Sequence, residues 1–409
     1  MNLRSIARGV VHRRGWRCAA PFVIIGIHGS RRVEQDLVSV IIPCYQHGAL
    51  LSAAVQSALD QTHPRVEAII VDDGSTDATA QTAEALAARH RERVFVRHQS
   101  NQGQAAARQN GLGLAHGTYV IFLDADDLLE PEMAARAMEI FRRHPRTHAV
   151  VGDARCVDAE NRRVLRDVPQ ARVCRWPRVL ERNPYGMMSA VVLRREGLDR
   201  IGGVRAGVGD GAEDWDLWAR MIRCGFVFHP IRRPLARYRQ IAGSHSHAPL
   251  AGLEPYLRLL EYAAQTDPRL AAAPGPAGPP ISVREQSIYR NARVFFHLGK
   301  AWGTGAEPAA WQAILAYLHP GALDVRRSSD QFLEGLQWTL SAAAEPAGRT
   351  EEDRQELLDA LGLALGSCAM EKDPAPLLSA IQCSLRKPWR KRSIAARVQD
   401  RWERQGRLL

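Results

Sequence analysis

The chain has 409 residues, 45% hydrophobic and 24% charged, with a formal net charge of +11. That length predicts two domains, and the composition is ordinary for a soluble globular protein. Its seven cysteines are odd in number and scattered, with no C-x-x-C. This argues against a disulfide scaffold or a zinc site and fits a reducing cytoplasm.

The positive charge sits at the two ends. Residues 1–32 hold seven arginines and no acid, and residues 386–409 hold nine arginines or lysines against Asp400 and Glu403. Such runs suit anionic surfaces, and with Trp389 and Trp402 they suggest peripheral contact with the inner face of a cell membrane. A solvated tail is the simpler reading, and no nucleic-acid partner is expected. The apolar run Pro21–Ile27 is too short to cross a bilayer, and no other run approaches that length. Residues 1–35 are therefore read as a basic extension, disordered or arising from a mis-assigned start.

In chain order, Val38–Pro43 is predicted as a buried β-branched strand stopped by proline. A helix follows over Ala49–Leu59, then a strand over Val66–Val71 closed by Asp72-Asp73-Gly74-Ser75. Thr76–His90 is a second helix, Val94–His98 a third strand, and Asn101–His116 holds a third helix entered through Gly103. Tyr119–Leu123 is the fourth strand and Pro131–His144 the fourth helix. This alternation predicts an α/β fold, a mostly parallel sheet flanked by helices. Ligands of such sheets sit beyond the strands' carboxyl ends. Tyr45, Asp72, Asp73 and the cluster Asp124 to Asp127 all fall there.

Residues 36–250 are expected to form this domain. The stretch 251–282 is read as a linker, Pro/Gly/Ala-rich in its second half. Helical periodicity around 283–302, 307–318, 330–345 and 350–366 predicts that 283–409 is an α-helical C-terminal region with a basic tail.

Neighbouring carboxylates repel unless a cation neutralises them. Asp124 and Asp126 suit Mg²⁺ or Mn²⁺ with a diphosphate, because Mg²⁺ is usually held by one or two carboxylates plus substrate phosphates. A D-x-D alone is weak evidence, since Asp clusters at strand ends also start turns.

The D-x-D is accompanied by V38-S-V-I-I-P-C-Y45, S57-A-L-D-Q-T62, V71-D-D-G-S-T-D77, N101-Q-G-Q-A-A-A-R-Q-N-G111, F122-L-D-A-D-D127 and E213-D-W-D-L-W-A-R220. In this order and spacing the chain resembles glycosyltransferase family 2 over roughly residues 36–245. The resemblance implies a GT-A (Rossmann-like) fold, a nucleotide-sugar donor, Mn²⁺ or Mg²⁺, and inversion at the anomeric carbon. Pro43 and Tyr45 fall where the family holds the donor's base, with Tyr45 placed to stack on it; a packed turn aromatic is the alternative. Asp73 matches the carboxylate that accepts from the base imide, with Asp72 beside it; a turn cap is the alternative for either. Arg108 matches a residue facing the nucleotide, against a plain surface arginine.

By the same resemblance Asp124 lies near the ribose and, with Asp126, serves the metal, while Asp127 is a turn or capping acid. Glu213-Asp214 matches the family's E-D, whose Asp is the general base; a helix N-cap is the alternative. Tyr238-Arg239 opens a loop that could close over the diphosphate. His245 or His247 is either a third metal ligand or a solvated loop residue.

Gln399-Asp-Arg-Trp402 has the wrong spacing for the Q-x-x-R-W of processive members, so single, hexosyltransferase-type addition is expected. The donor favoured is UDP- or dTDP-linked. The acceptor expected is a glycan, glycolipid or protein in bacterial cell-surface polysaccharide biosynthesis. A nucleotidyltransferase is the alternative enzyme, disfavoured because Cys44–Gly48 has no basic residue except His47. A catalytically silent scaffold is disfavoured by the intact D-A-D and E-D.

Overall fold

The computed structural model describes residues 34–170, 174–241, 250–271, 273, 277–319, 322–342, 350–367, 373 and 375–385. The arginine-rich ends, Trp389, Gln399–Trp402, His245 and His247 lie outside the described residues. The first half follows the alternation expected: β1 (Glu34–Cys44), α1 (Gly48–Leu59), β2 (Val66–Asp72), α2 (Thr79–Arg89), β3 (Val94–His98), α3 (Gln104–Leu114) and β4 (Gly117–Phe122). After them come β5 (Leu128–Leu129), α4 (Met133–Arg143), β6 (Ala149–Val157), β7 (Val164–Val168), β8 (Val191–Arg194), α5 (Arg195–Arg200), α6 (Glu213–Arg223) and β9 (Phe228–Arg239).

Among the described residues these strands form one sheet in the order β3-β2-β1-β4-β8-β6-β9-β5, with β7 on β6. The expectation of a mostly parallel sheet holds for β3, β2, β1 and β4 and needs correction beyond them. There β8 runs antiparallel to β4 and to β6, and β9 is parallel to β6, so the sheet is mixed. No sequence periodicity announced that second half, because β8 is only four residues long and β9 is broken by Pro230 and Pro234.

Alternate residues of the central strands feed the two faces, the period-2 geometry of a strand covered on both sides. Ile41, Ile69, Val71, Val120 and Phe122 enter one core with residues of α3, α6 and α7 (Leu253–Ala263). Val40, Ile42, Ala68, Ile70 and Ile121 enter the other with α1 and α4. All seven residues of β2 are buried, including Glu67. Its carboxylate accepts from Ser39 Oγ at 2.5 Å and from the His116 backbone N at 2.8 Å, which offsets its burial.

The stretch read as linker, 251–282, holds helix α7. Its Leu253, Tyr256, Leu259 and Leu260 are buried in the core of the sheet domain. The C-terminal region is helical as expected: α8 (Val283–Gly303), α9 (Pro308–Leu315), α10 (Val325–Ala342), α11 (Glu351–Ser367) and α12 (Ala375–Leu385). A capping box starts α8, where Ser282 accepts from Glu285 N and Glu285 accepts from Ser282 N. No described helix is long and apolar enough to cross a membrane.

Helices α8 and α10 cross at glycines. A Cβ on Gly299 would collide with the Phe332 carbonyl, and one on Gly335 with the Phe296 carbonyl. The obstruction is backbone, so it cannot swing aside. Gly335→Ala is expected to cost about 1–3 kcal/mol, as overpacking does. Gly362→Ala in α11, where nothing lies within 4 Å, should instead gain up to about 1 kcal/mol of helix propensity. Urea midpoints moving in opposite directions check the pair; a neutral Gly335→Ala would refute the close crossing.

Candidate active site

The parallel strands β1, β2 and β4 all present their carboxyl ends to one rim. Tyr45 follows β1 and is 45% exposed, a large aromatic left in solvent. Pro43 lies inside β1, buried and in register with Val71, so the strand runs through it to Cys44. Asp72 closes β2; one oxygen accepts from Ser75 N at 3.1 Å and the other meets His98 Nδ1 at 2.9 Å. That carboxylate, then Glu84 on the far nitrogen, raises the proton affinity of His98.

Asp73 is buried and braces the entrance to α3. It accepts from Gln99 Nε2 at 2.7 Å and from the backbone N of Gln102 and of Gly103, both at 2.8 Å. Gly103 sits at φ +87°, where L side chains are strained, and a Cβ there would meet the Asp210 carboxylate. Asp210 accepts from Ala105 N at 3.3 Å. Two acids from distant loops thus satisfy N–H groups that a helix start leaves unpaired.

One turn on, α3 carries Arg108, which is 2% exposed. It is not a surface arginine. One guanidinium nitrogen donates to Asp124 Oδ1 at 2.6 Å and the other to Glu213 Oε1. These two carboxylates outweigh the cost of burial and hold the cation firmly protonated. Asp124 also accepts from Gln104 Nε2 at 3.0 Å. The D-x-D and the E-D, 89 residues apart in sequence, are therefore joined through a single side chain.

Asp127 was expected as a turn or capping acid. Its backbone N does close a turn onto Asp124 O at 2.9 Å. Its side chain, however, is buried and caps no helix: it accepts from Ser189 Oγ at 2.8 Å and from Arg239 N at 3.3 Å. Burial first, then Asp126 and Asp124, pushes its carboxyl well above the usual range. Tyr238 and Arg239 are the last residues of β9, and residues 242–249 of the loop expected after them lie outside the described residues. Arg239 is buried, and its Nε has no hydrogen-bond partner among the described residues.

Asp126 makes no side-chain hydrogen bond to another described residue, and its carboxyl is pushed up by burial and then by Asp124. An unpaired, partly buried carboxylate beside a second one is a donor set that suits a hard divalent cation. No group of three potential metal-ligating side chains occurs among the described residues.

At the start of α6, Glu213 is buried between Arg108 and Gly211 N, which donates to it at 2.6 Å. The N-cap position belongs to Ala212, so the capping alternative fails for the E-D pair. Asp214 is partly exposed and accepts from Asn183 Nδ2 at 2.7 Å and from Trp215 N at 2.6 Å. Burial and then the Glu213 charge push its carboxyl up to about 7. Asn183, Ser189 and Gln104 have no signal of their own in the sequence; only tertiary placement brings them to this rim.

Residues 39–202 match the family model described as Glycosyl transferase family 2. They form a family 2 glycosyltransferase domain. An uncharacterised glycosyltransferase of Nostoc sp. is 41% identical over 115 residues, 28% of this chain and 34% of that protein. The Bacillus subtilis glycosyltransferase TuaG, named for teichuronic acid biosynthesis, is 28% identical over 52% of this chain and 82% of its own length. Among solved structures, residues 1–349 of S. aureus TarS with UDP match at a TM-score of 0.50 and 16% identity, over 85% of this chain and 89% of that one. At that identity the likeness speaks for the fold alone, a GT-A domain with a helical C-terminal region. The match spans about a third of the Nostoc relative's length.

In the family 2 domain, Arg108→Met strands Glu213 in the interior, so it should cost about 3–5 kcal/mol at pH 7, as breaking a buried pair does. The deficit relative to the parent should shrink on acidification. Stranded Glu213 would bind its proton more tightly folded than unfolded, so the folded variant gains as pH falls. Urea unfolding at pH 7.5 and pH 5 checks this; equal deficits at both would contradict it.

Proposed function

We propose that the chain is a metal-dependent, inverting, single-addition glycosyltransferase that moves a sugar from a UDP- or dTDP-linked donor to a cell-surface glycan, glycolipid or protein. The observation that carries the reading is Arg108, which ties Asp124 on the donor side to Glu213, next to a carboxyl poised at about 7. The names of the relatives support the class, and TuaG's name supports a cell-surface polysaccharide.

Donor recognition falls to the rim of β1 and β2. Tyr45 offers an exposed ring for the base. Asp73 has three of its roughly four acceptor positions filled. The remaining one suits an imide N–H, which uracil and thymine carry on the edge they present. Calorimetry should therefore show UDP binding more tightly than GDP; the reverse order would sink this assignment of the base.

Asp126, with Asp124, would hold Mn²⁺ or Mg²⁺. When bound, the cation supplies positive charge to the diphosphate, both in the donor and as it leaves. Asp214 takes the proton from the acceptor hydroxyl as that oxygen attacks the anomeric carbon opposite the diphosphate. Glu213 keeps Asp214 basic and Asn183 orients it. A base with a pKa near the working pH combines the correct protonation state with useful basicity.

Two substitutions separate these roles. Asp126→Asn should weaken donor binding and abolish its dependence on Mn²⁺. Asp214→Asn should leave donor affinity intact while turnover falls by about 10²–10⁴. In the parent, kcat/KM should rise through an acid limb near pH 7, because only ionised Asp214 accepts the proton. Near-parent turnover by Asp214→Asn would remove it as the base.

A further inference from the structure

Asp214 owes its orientation to Asn183, whose own position needs explaining. The residues just before it are gripped by the C-terminal helices. Arg327 of α10 reaches Glu181 at 2.8 Å, and Glu334 of α10 reaches Arg182 at 2.5 Å. Positions 327 and 334 lie two turns apart on one face of α10. The two ion pairs run in opposite senses, a cation from the helix to one residue and an anion from the helix to the next.

The same turn is held from its other side. Val179 O accepts from Trp215 Nε1, and Leu180 O from Tyr256 Oη, both at 2.6 Å. Arg293 of α8 sits beneath these rings, its guanidinium carbon 5.1 Å from Trp215, 5.4 Å from Tyr256 and 4.0 Å from Phe296. Helices α6, α7 and α10 thus converge on residues 179–183, with α8 packed behind the rings. Partly exposed ion pairs add little stability, but pairs of fixed polarity define a register.

We propose that the C-terminal helical region is a positioning element for the reaction: Arg327 and Glu334 hold the 179–183 turn where Asn183 donates its hydrogen bond to Asp214. The functional meaning rests on Asp214 being the base. The geometric claim stands apart from it. Arg327 and Glu334 touch neither donor nor acceptor; they are positioning residues acting through Asn183.

The charged groups that face Asp214 are Glu213 beside it, Arg108 from α3 and Arg293 from α8. The Asn183 hydrogen bond favours the ionised carboxyl, so losing it raises the titration midpoint of Asp214. This yields a signature that simple electrostatics cannot imitate. Removing the positive Arg327 and removing the negative Glu334 would shift Asp214 in opposite directions if only their charges mattered. If both act by holding Asn183, both shifts are upward.

The experiment is a pH titration of the full chain by carbon-13 NMR of labelled Asp carboxyls. The Asp214 resonance is assigned by its absence in Asp214→Asn. Asn183→Ala, Arg327→Met and Glu334→Gln should each raise the midpoint, by up to about one pH unit. Arg327→Lys, which keeps the pair with Glu181, should restore the parent value. On the Asn183→Ala background neither α10 substitution should shift it further. Glu181→Gln serves as a second probe of the same grip should Arg327→Met not fold. Shifts of opposite sign, no shift, or shifts that add to that of Asn183→Ala would overturn the proposal. No substrate is needed, so this outcome is independent of whether Asp214→Asn abolishes transfer.

Discussion

The site depends on one buried cation. Arg108 is nearly inaccessible, yet two carboxylates from different parts of the chain converge on its guanidinium. A buried arginine needs such partners, because its desolvation is costly and its charge cannot be shed. Asp124 and Glu213 are equally dependent on it. The three together tie the loop after β4 to the start of α6.

Arg108 is itself placed by α3, which starts under unusual constraints. Gly103 adopts a conformation that only glycine takes without strain, and acids from two separate loops satisfy the helix's first N–H groups. Asp73 is thereby structural as well as a candidate for recognising the base. The mixed half of the sheet completes the rim. Because β8 runs against β4, Ser189 just before β8 lies level with the end of β4, and Arg239 at the end of β9 reaches the same level. A sheet of parallel strands alone would have put Ser189 at the opposite edge.

The helical C-terminal region packs against the turn that carries Asn183. Its contact with the sheet domain combines aromatic rings around Arg293 with ion pairs from α10. This polar, directional interface suits register more than raw stability. It is built on an α8–α10 crossing so close that glycine is required on both helices.

The sequence alone determined the alternating first half, the Asp-rich strand ends, the E-D close to a helix start and the helical C-terminus. Each is a local pattern: β-branched runs, helical periodicity, or carboxylates placed directly after apolar strands. It left Tyr45 and Arg108 open between site and surface, and it read α7 as part of a linker. Exposure and partnership depend on residues far away in the chain. Arg108 needed Glu213, 105 positions later, to become a buried cation. Asp127 needed Ser189 and Arg239 to become a brace. Asn183 carries no motif at all, and only the packing of α6 and α10 around its turn brings it to Asp214. Hydrogen bonds between residues so distant in sequence leave no periodicity behind, which is why tertiary structure alone decided them.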